Sequence, residues 1–212
     1  MKSQNYSKTI SLILSLVLLV TTTMATATTA RADLDSWFKA WTTVGSAGTI
    51  DDASTAKLVM QGSTISFPEI LPPQRTDQSA FAIGLPLETV SATVRYNVVA
   101  TDGLFENGAY LGMKSRLRDD GANAQVVLRL FEVNIDTGAT SLVMTLDSNS
   151  FAANANYQTV GASVFVGNRI NFQQNAYYIE ATLIQKRPTV IAFGGGRPGI
   201  AVIQLQKFTP IL

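Results

Sequence analysis

The chain has 212 residues, with 16 Lys and Arg against 15 Asp and Glu, no cysteine and no histidine. Those two absences exclude disulfide scaffolds, thiolate–imidazole zinc sites, type-1 copper sites and every catalytic triad that needs an imidazole. Any catalysis falls to carboxylates, Lys, Tyr or Ser.

Lys2 and Lys8 precede the apolar run Ile10 to Val20, and "TTTMATATTARA" follows, ending at Ala30-Arg31-Ala32. A basic start, an apolar segment too short to span a bilayer and a small-residue site form the order of a secretory signal peptide. Residues 1–32 are therefore expected to be removed, and residues 33–212 to form one domain; an uncleaved anchor is the alternative. The expected location is periplasmic, cell-surface or extracellular, with membrane contact only through export. Without Lys2, Lys8 and Arg31 the remainder carries 13 basic and 15 acidic side chains, a net charge of −2. That balance speaks against a nucleic-acid partner. About 180 residues remain, enough for a sizeable core.

Next in chain order comes "DSWFKAW", the one helix candidate, with Asp35 or Ser36 as cap and Trp37, Phe38 and Trp41 packing under the edge of the fold. Proline-containing "FPEILPPQR" (Phe67 to Arg75) reads as a long, partly extended loop. From there nearly every periodic segment has period two. In "ATVRYNVVA", Val94, Tyr96, Val98 and Ala100 oppose Thr93, Arg95 and Asn97. In "YLGMKSRLR", Leu111, Met113 and Leu117 oppose Lys114, Arg116 and Arg118. In "AYYIEATLI", Tyr177, Ile179, Ala181 and Leu183 oppose Tyr178, Glu180 and Thr182. In "GIAVIQLQ", Ala201, Ile203 and Leu205 oppose Gln204 and Gln206. Such alternation marks strands with one buried face. The turn-rich stretches "TDGLFENG", "RDDGAN", "DSNS" and "FGGGRPG" separate them. The predicted fold is all-β: an antiparallel sandwich, jelly-roll-like, with a short N-terminal helix.

"IDTGAT", Ile135 to Thr140, resembles the active-site motif of retroviral-type aspartic proteases. The resemblance implies a homodimer in which Asp136 from each chain shares a proton and activates water. It also implies a flap around Gly161 and an apolar-apolar-Gly element at Gly194. Three features oppose it. Glu132 and Asn134 alternate with Val133 and Ile135, as in an exposed hairpin arm. "RPGIAVIQLQ" carries Pro198 and a strand pattern where that family has a helix. No second Asp-Thr/Ser-Gly precedes the motif. Between "VVLRLFEVN" and "TSLVMTL" the same residues read as a hairpin, with Asp136 bonding nearby backbone N–H groups and Gly138 in the left-handed position.

Asp119, Asp120 and Asn123 are candidate oxygen ligands for calcium, as are Asp147 with Asn149 and the pair Asp51 and Asp52, although none has a full calcium-loop spacing and each also suits a solvated turn. Arg95, Lys114, Arg116, Arg118 and Arg129 fall on the polar sides of three strands. If those strands pair, they form one basic stripe able to meet an anionic glycan or another subunit. Cross-strand pairing with Glu132 and Glu180 is the alternative, and the better match to the net charge. "GGGRPG" lacks the Lys-Ser/Thr of a phosphate loop. Tyr178 and Tyr157 are candidate stacking surfaces for a sugar ring, although an outward strand tyrosine more commonly packs on its neighbours.

The runs "RYNVVATDGLF", "RDDGANAQVVLRLFEVNIDTG" and "NAYYIEATL", with the closing "IAVIQL", resemble exported bacterial β-sandwich proteins of unassigned function. The shared runs are strands and turns, so the resemblance implies architecture and no chemistry. The sequence therefore leads to an exported, non-catalytic β-sandwich without cofactor, which binds a glycan or other surface component or assembles with copies of itself. Two alternatives are the Asp136 protease and a small outer-membrane β-barrel. The barrel requires lipid-facing stripes free of charge, whereas the outward positions carry Arg, Lys, Glu and Gln.

Overall fold

The computed structural model describes residues 40–68, 87–101, 109–167, 170–188 and 196–208. Eleven strands are present among them: β1 (Ala40–Val44), β2 (Thr49–Ile50), β3 (Val59–Gln61), β4 (Thr64–Ser66), β5 (Leu87–Val98), β6 (Ala109–Asp119), β7 (Ala124–Asn134), β8 (Thr140–Asp147), β9 (Asn154–Gly167), β10 (Asn175–Pro188) and β11 (Gly199–Phe208). The 6-stranded sheet runs β3-β4-β11-β6-β9, with β1 also on β11, and the 5-stranded sheet runs β2-β5-β10-β7-β8. Every pairing is antiparallel. Set side by side, β4-β11-β6-β9 and β5-β10-β7-β8 form the strand order of a jelly roll. From β4 onward the chain changes sheet at each connection, except between β7 and β8.

Alternation explains why the two sheets close on each other. Val94, Tyr96, Leu128, Leu130, Ile179, Ala181 and Leu183 line the inner face of the 5-stranded sheet. Leu111, Met113, Leu117, Ile200, Ile203 and Leu205 line that of the 6-stranded sheet. Each such large side chain contributes about 1.5–3 kcal/mol relative to exposure. The buried phenol of Tyr96 crosses the core and donates to the carbonyl of Gly45 at 2.7 Å, tying β5 to the turn after β1. Burial pushes this phenol well above its usual value of 10.0.

Two expectations change at the N-terminal side and in the strand ends. Trp41, the last residue of the expected helix, lies on β1, where it is buried opposite Leu205. Residues 35–39 lie outside the described residues. β5 ends at Val98, so Ala100 is exposed rather than part of the core face. The expected loops around residues 102–108, 69–75 and 193–195 lie outside the described residues. The barrel alternative is overturned, because the strands form two sheets with separate ends rather than one closed ring.

Candidate binding face

The turn between β7 and β8 holds the "DTG" string, and its geometry is set by Asn134. The Asn134 side-chain oxygen Oδ1 accepts from Asp136 N at 3.1 Å, Thr137 N at 2.9 Å and the Thr137 hydroxyl at 3.0 Å. Gly138 N donates to Asn134 O at 2.8 Å, and Gly138 sits at φ +69°, in the left-handed region. Ile135 through Thr140 are exposed. Asp136 therefore stands on an open hairpin tip, with no low-dielectric wall and no flap over it among the described residues. The protease alternative falls on this position. The hairpin expectation holds for Gly138, but the bonding assigned to Asp136 belongs to Asn134.

The acidic turns are committed to the chain itself. Asp119 is 3% exposed; its Oδ1 accepts from Gly121 N at 3.0 Å and its Oδ2 from the Ser148 hydroxyl. Asp120 Oδ1 accepts from Arg197 N at 2.9 Å, and Asn123 O accepts from Lys186 N at 2.9 Å. Asp147 accepts from Asn149 N and from the Gln125 amide, each at 3.0 Å. Both carboxylate oxygens of Asp119 and of Asp147, one of Asp120 and the backbone carbonyl of Asn123 thus accept from donors of the chain itself, as in Asx turns. Asp51 behaves differently: its Oδ1 is buried without a hydrogen-bond partner among the described residues. It lines a cleft of about 240 Å³ with Thr49, Ile50, Arg95 and Asn97.

The five basic residues do not form one stripe, because their strands belong to different sheets. Arg95 and Arg129 lie on the outer face of the 5-stranded sheet, both in register with Glu180 on β10 between them. Arg95 closes an ion pair with Glu180 at 3.0 Å. Next to them Tyr178 stacks on Phe131, with ring centroids 5.2 Å apart and planes 21° from parallel. One ring face of Tyr178 is thus used by a cross-strand pair. Tyr157 is likewise engaged: the Arg118 guanidinium lies 5.3 Å from its ring centroid.

On the 6-stranded sheet the charge is one-sided. Its strands carry Lys114, Arg116, Arg118 and Lys207, and their one carboxylate, Asp119, is buried. By contrast, the 5-stranded sheet mixes Arg95, Arg129 and Lys186 with Glu88, Glu132, Asp147 and Glu180. Lys114 and Arg116 are exposed on the outer face of β6, in register with Gly161 and Thr159 on β9 and with Gln204 and Val202 on β11. At Gly161 a Cβ would fit tightly, 3.2 Å from Lys114 Cγ and 3.2 Å from Met113 O, so these neighbours would have to give slightly. Its absence lets the Lys114 stem lie across β9. Arg118, half-buried, donates to Arg197 O at 2.7 Å and closes the row at one end.

At the other end of the same face stand Tyr110 and Phe165, paired across β6 and β9 with centroids 5.2 Å apart and planes tilted by 60°. Phe165 is 64% exposed and Tyr110 36%. Between this pair and Arg116, roughly 20 Å along the strand, the face offers Gly112, Ser163, Gln204, Gln206 and Lys114. The arrangement presents an exposed ring, amide and hydroxyl hydrogen-bonding groups, and two cations in one line. Tyr110 shares the strand parity of Lys114 and was findable from alternation; Phe165 needed the cross-strand register.

No protein-family model matches the chain, and no curated protein does. Among solved structures, it is similar to a carbohydrate-binding module of lichenase 5A from Cellvibrio mixtus in complex with cellotriose, at 10% identity over 80% of this chain and 98% of that one, TM-score 0.33. A family 30 carbohydrate-binding module matches at 15% identity over 81% and 86%, TM-score 0.34. A xylan-binding module matches at 11% identity over 58% and 78%, TM-score 0.30.

Proposed function

We propose that this protein is an exported, non-catalytic binding module that holds an anionic polysaccharide on the outer face of its 6-stranded sheet. The observation that carries the proposal is the one-sided charge of that face: Lys114 and Arg116 are exposed, and the strands beneath them bring no exposed carboxylate. A polymer bearing carboxylate or sulfate groups places its charges at these two side chains. Phe165 and Tyr110 give a sugar ring an apolar surface, and Gln204, Gln206 and Ser163 meet hydroxyl groups. The non-catalytic reading is supported by the open position of Asp136, and export by the basic, apolar and small-residue order of residues 1–32.

The test is affinity electrophoresis of the purified protein through gels containing polygalacturonate, dextran or neither. Retardation by polygalacturonate alone supports the proposal. Equal mobility in all three gels, or retardation by dextran as strong as by polygalacturonate, removes it.

A further inference from the structure

Strand edges differ in how well they are protected. At the ends of the two sheets, β2 has 2 residues and β3 has 3, too short to template another strand. β8 has 8 residues, but its register with β7 breaks between Leu130 and Phe131, and it ends in Asp147. Short length, bulges and charges are the usual means of blunting an edge. β9 has 14 residues and uses none of them along its central part. It pairs with β6 without interruption from Gln158 to Phe165, and "QTVGASVF" contains neither charge nor proline. Alternate residues of this stretch aim their N–H and C=O groups away from β6, toward the side where no strand pairs with β9 among the described residues.

We propose that β9 is the surface through which two copies of this chain pair, as antiparallel neighbours that join their 6-stranded sheets edge to edge. A second copy is the fitting occupant because the strand is complementary to itself. Its central stretch carries no charge of its own, and a two-fold axis through it closes after two subunits. Facing residues in antiparallel pairing must share a sheet face, so the axis passes through a residue and not between two. The register centred on Gly161 sets Thr159 against Ser163 of the second copy, two hydroxyl residues suited to a cross-strand pair. It also sets Tyr157 beside Phe165 of the second copy at the two ends of the pairing. The pairing rests on the strand edge alone and stands whether or not the face above it binds polysaccharide.

The chain has no cysteine, so introduced thiols report cleanly. The double variant Thr159→Cys/Ser163→Cys should form a disulfide-linked dimer on mild oxidation, while either single variant should not. Within one copy these positions lie roughly 13 Å apart along the strand, beyond disulfide reach. Sedimentation equilibrium should show a wild-type dimer, and Thr159→Lys/Ser163→Lys, at exposed positions, should be a monomer that still unfolds in one cooperative transition, with a melting temperature independent of protein concentration. A wild-type chain that sediments as a monomer, including one that instead takes up an unrelated peptide strand, overturns the proposal. So does a dimer that survives the Lys pair, an open-ended polymer, or a double-cysteine variant that stays unlinked.

Discussion

The Ser148 hydroxyl donates to the Asp119 carboxylate and accepts the backbone N–H of Val126 at 2.8 Å, with both side chains 3% exposed. One hydroxyl thereby joins the end of β6, the start of β7 and the 3-10 turn after β8. Ser148→Ala leaves a buried amide and one carboxylate oxygen unsatisfied, a loss of about 3 kcal/mol. Urea unfolding should show a lower midpoint with an unchanged slope. Because both Asp119 oxygens accept from protein donors, the melting temperature should be the same in calcium and in EDTA. A rise with calcium would mean that the ion binds the native state.

The hairpin between β7 and β8 separates its residues by role. Asn134→Ala removes three hydrogen bonds from the turn and should cost about 1–2 kcal/mol. Gly138→Ala forces a side chain into the left-handed region and should cost about 1 kcal/mol. Asp136→Ala should stay within about 0.5 kcal/mol of the wild type. Thermal melts of the three variants decide this order. A large loss in Asp136→Ala alone would return a structural role to that carboxylate.

Tyr96 gives the fold an alkaline limit. Its folded phenol is raised above the usual 10.0 by desolvation, so below that pH both states hold the proton and its contribution is complete. Above it the unfolded chain ionises first, and stability falls by about 1.4 kcal/mol per pH unit from this group. Tyr96→Phe should be less stable at neutral pH by about 1–2 kcal/mol, since Gly45 O loses its donor. The variant's stability should then decline less steeply than that of the wild type above pH 10, by a difference that approaches the slope of one proton near pH 11. Equal slopes in denaturant titrations would refute this assignment.

Period-two alternation made the strands legible in the sequence: Tyr177, Ile179, Ala181 and Leu183 are buried, and Tyr178, Glu180 and Thr182 face outward. Alternation gives the parity of a residue within its strand and says nothing of which sheet the strand joins. Arg95, Lys114 and Arg129 therefore looked like neighbours, whereas the jelly-roll crossings put β5 and β7 in one sheet and β6 in the other. Glu180 pairs with Arg95, in line with one expectation, and the strands of the other sheet bring Lys114 and Arg116 no exposed carboxylate among the described residues. Charge asymmetry of this kind depends on long-range pairing, and so does the meeting of Tyr110 with Phe165. The Asp136 turn was legible from its flanks, but Asn134, whose side chain organises it, was read as only a polar alternate.

The central claim is that Lys114 and Arg116 hold an anionic polymer on the 6-stranded sheet. The most direct measurement is isothermal titration of polygalacturonate into the wild type and into Lys114→Glu/Arg116→Glu, at low and high salt. Both side chains are exposed, so the double variant should fold with an unchanged melting temperature. The wild type should bind at low salt and weaken as salt screens the charges, and the double variant should show no heat of binding. Binding by the double variant equal to that of the wild type, or no binding by either, would contradict the claim.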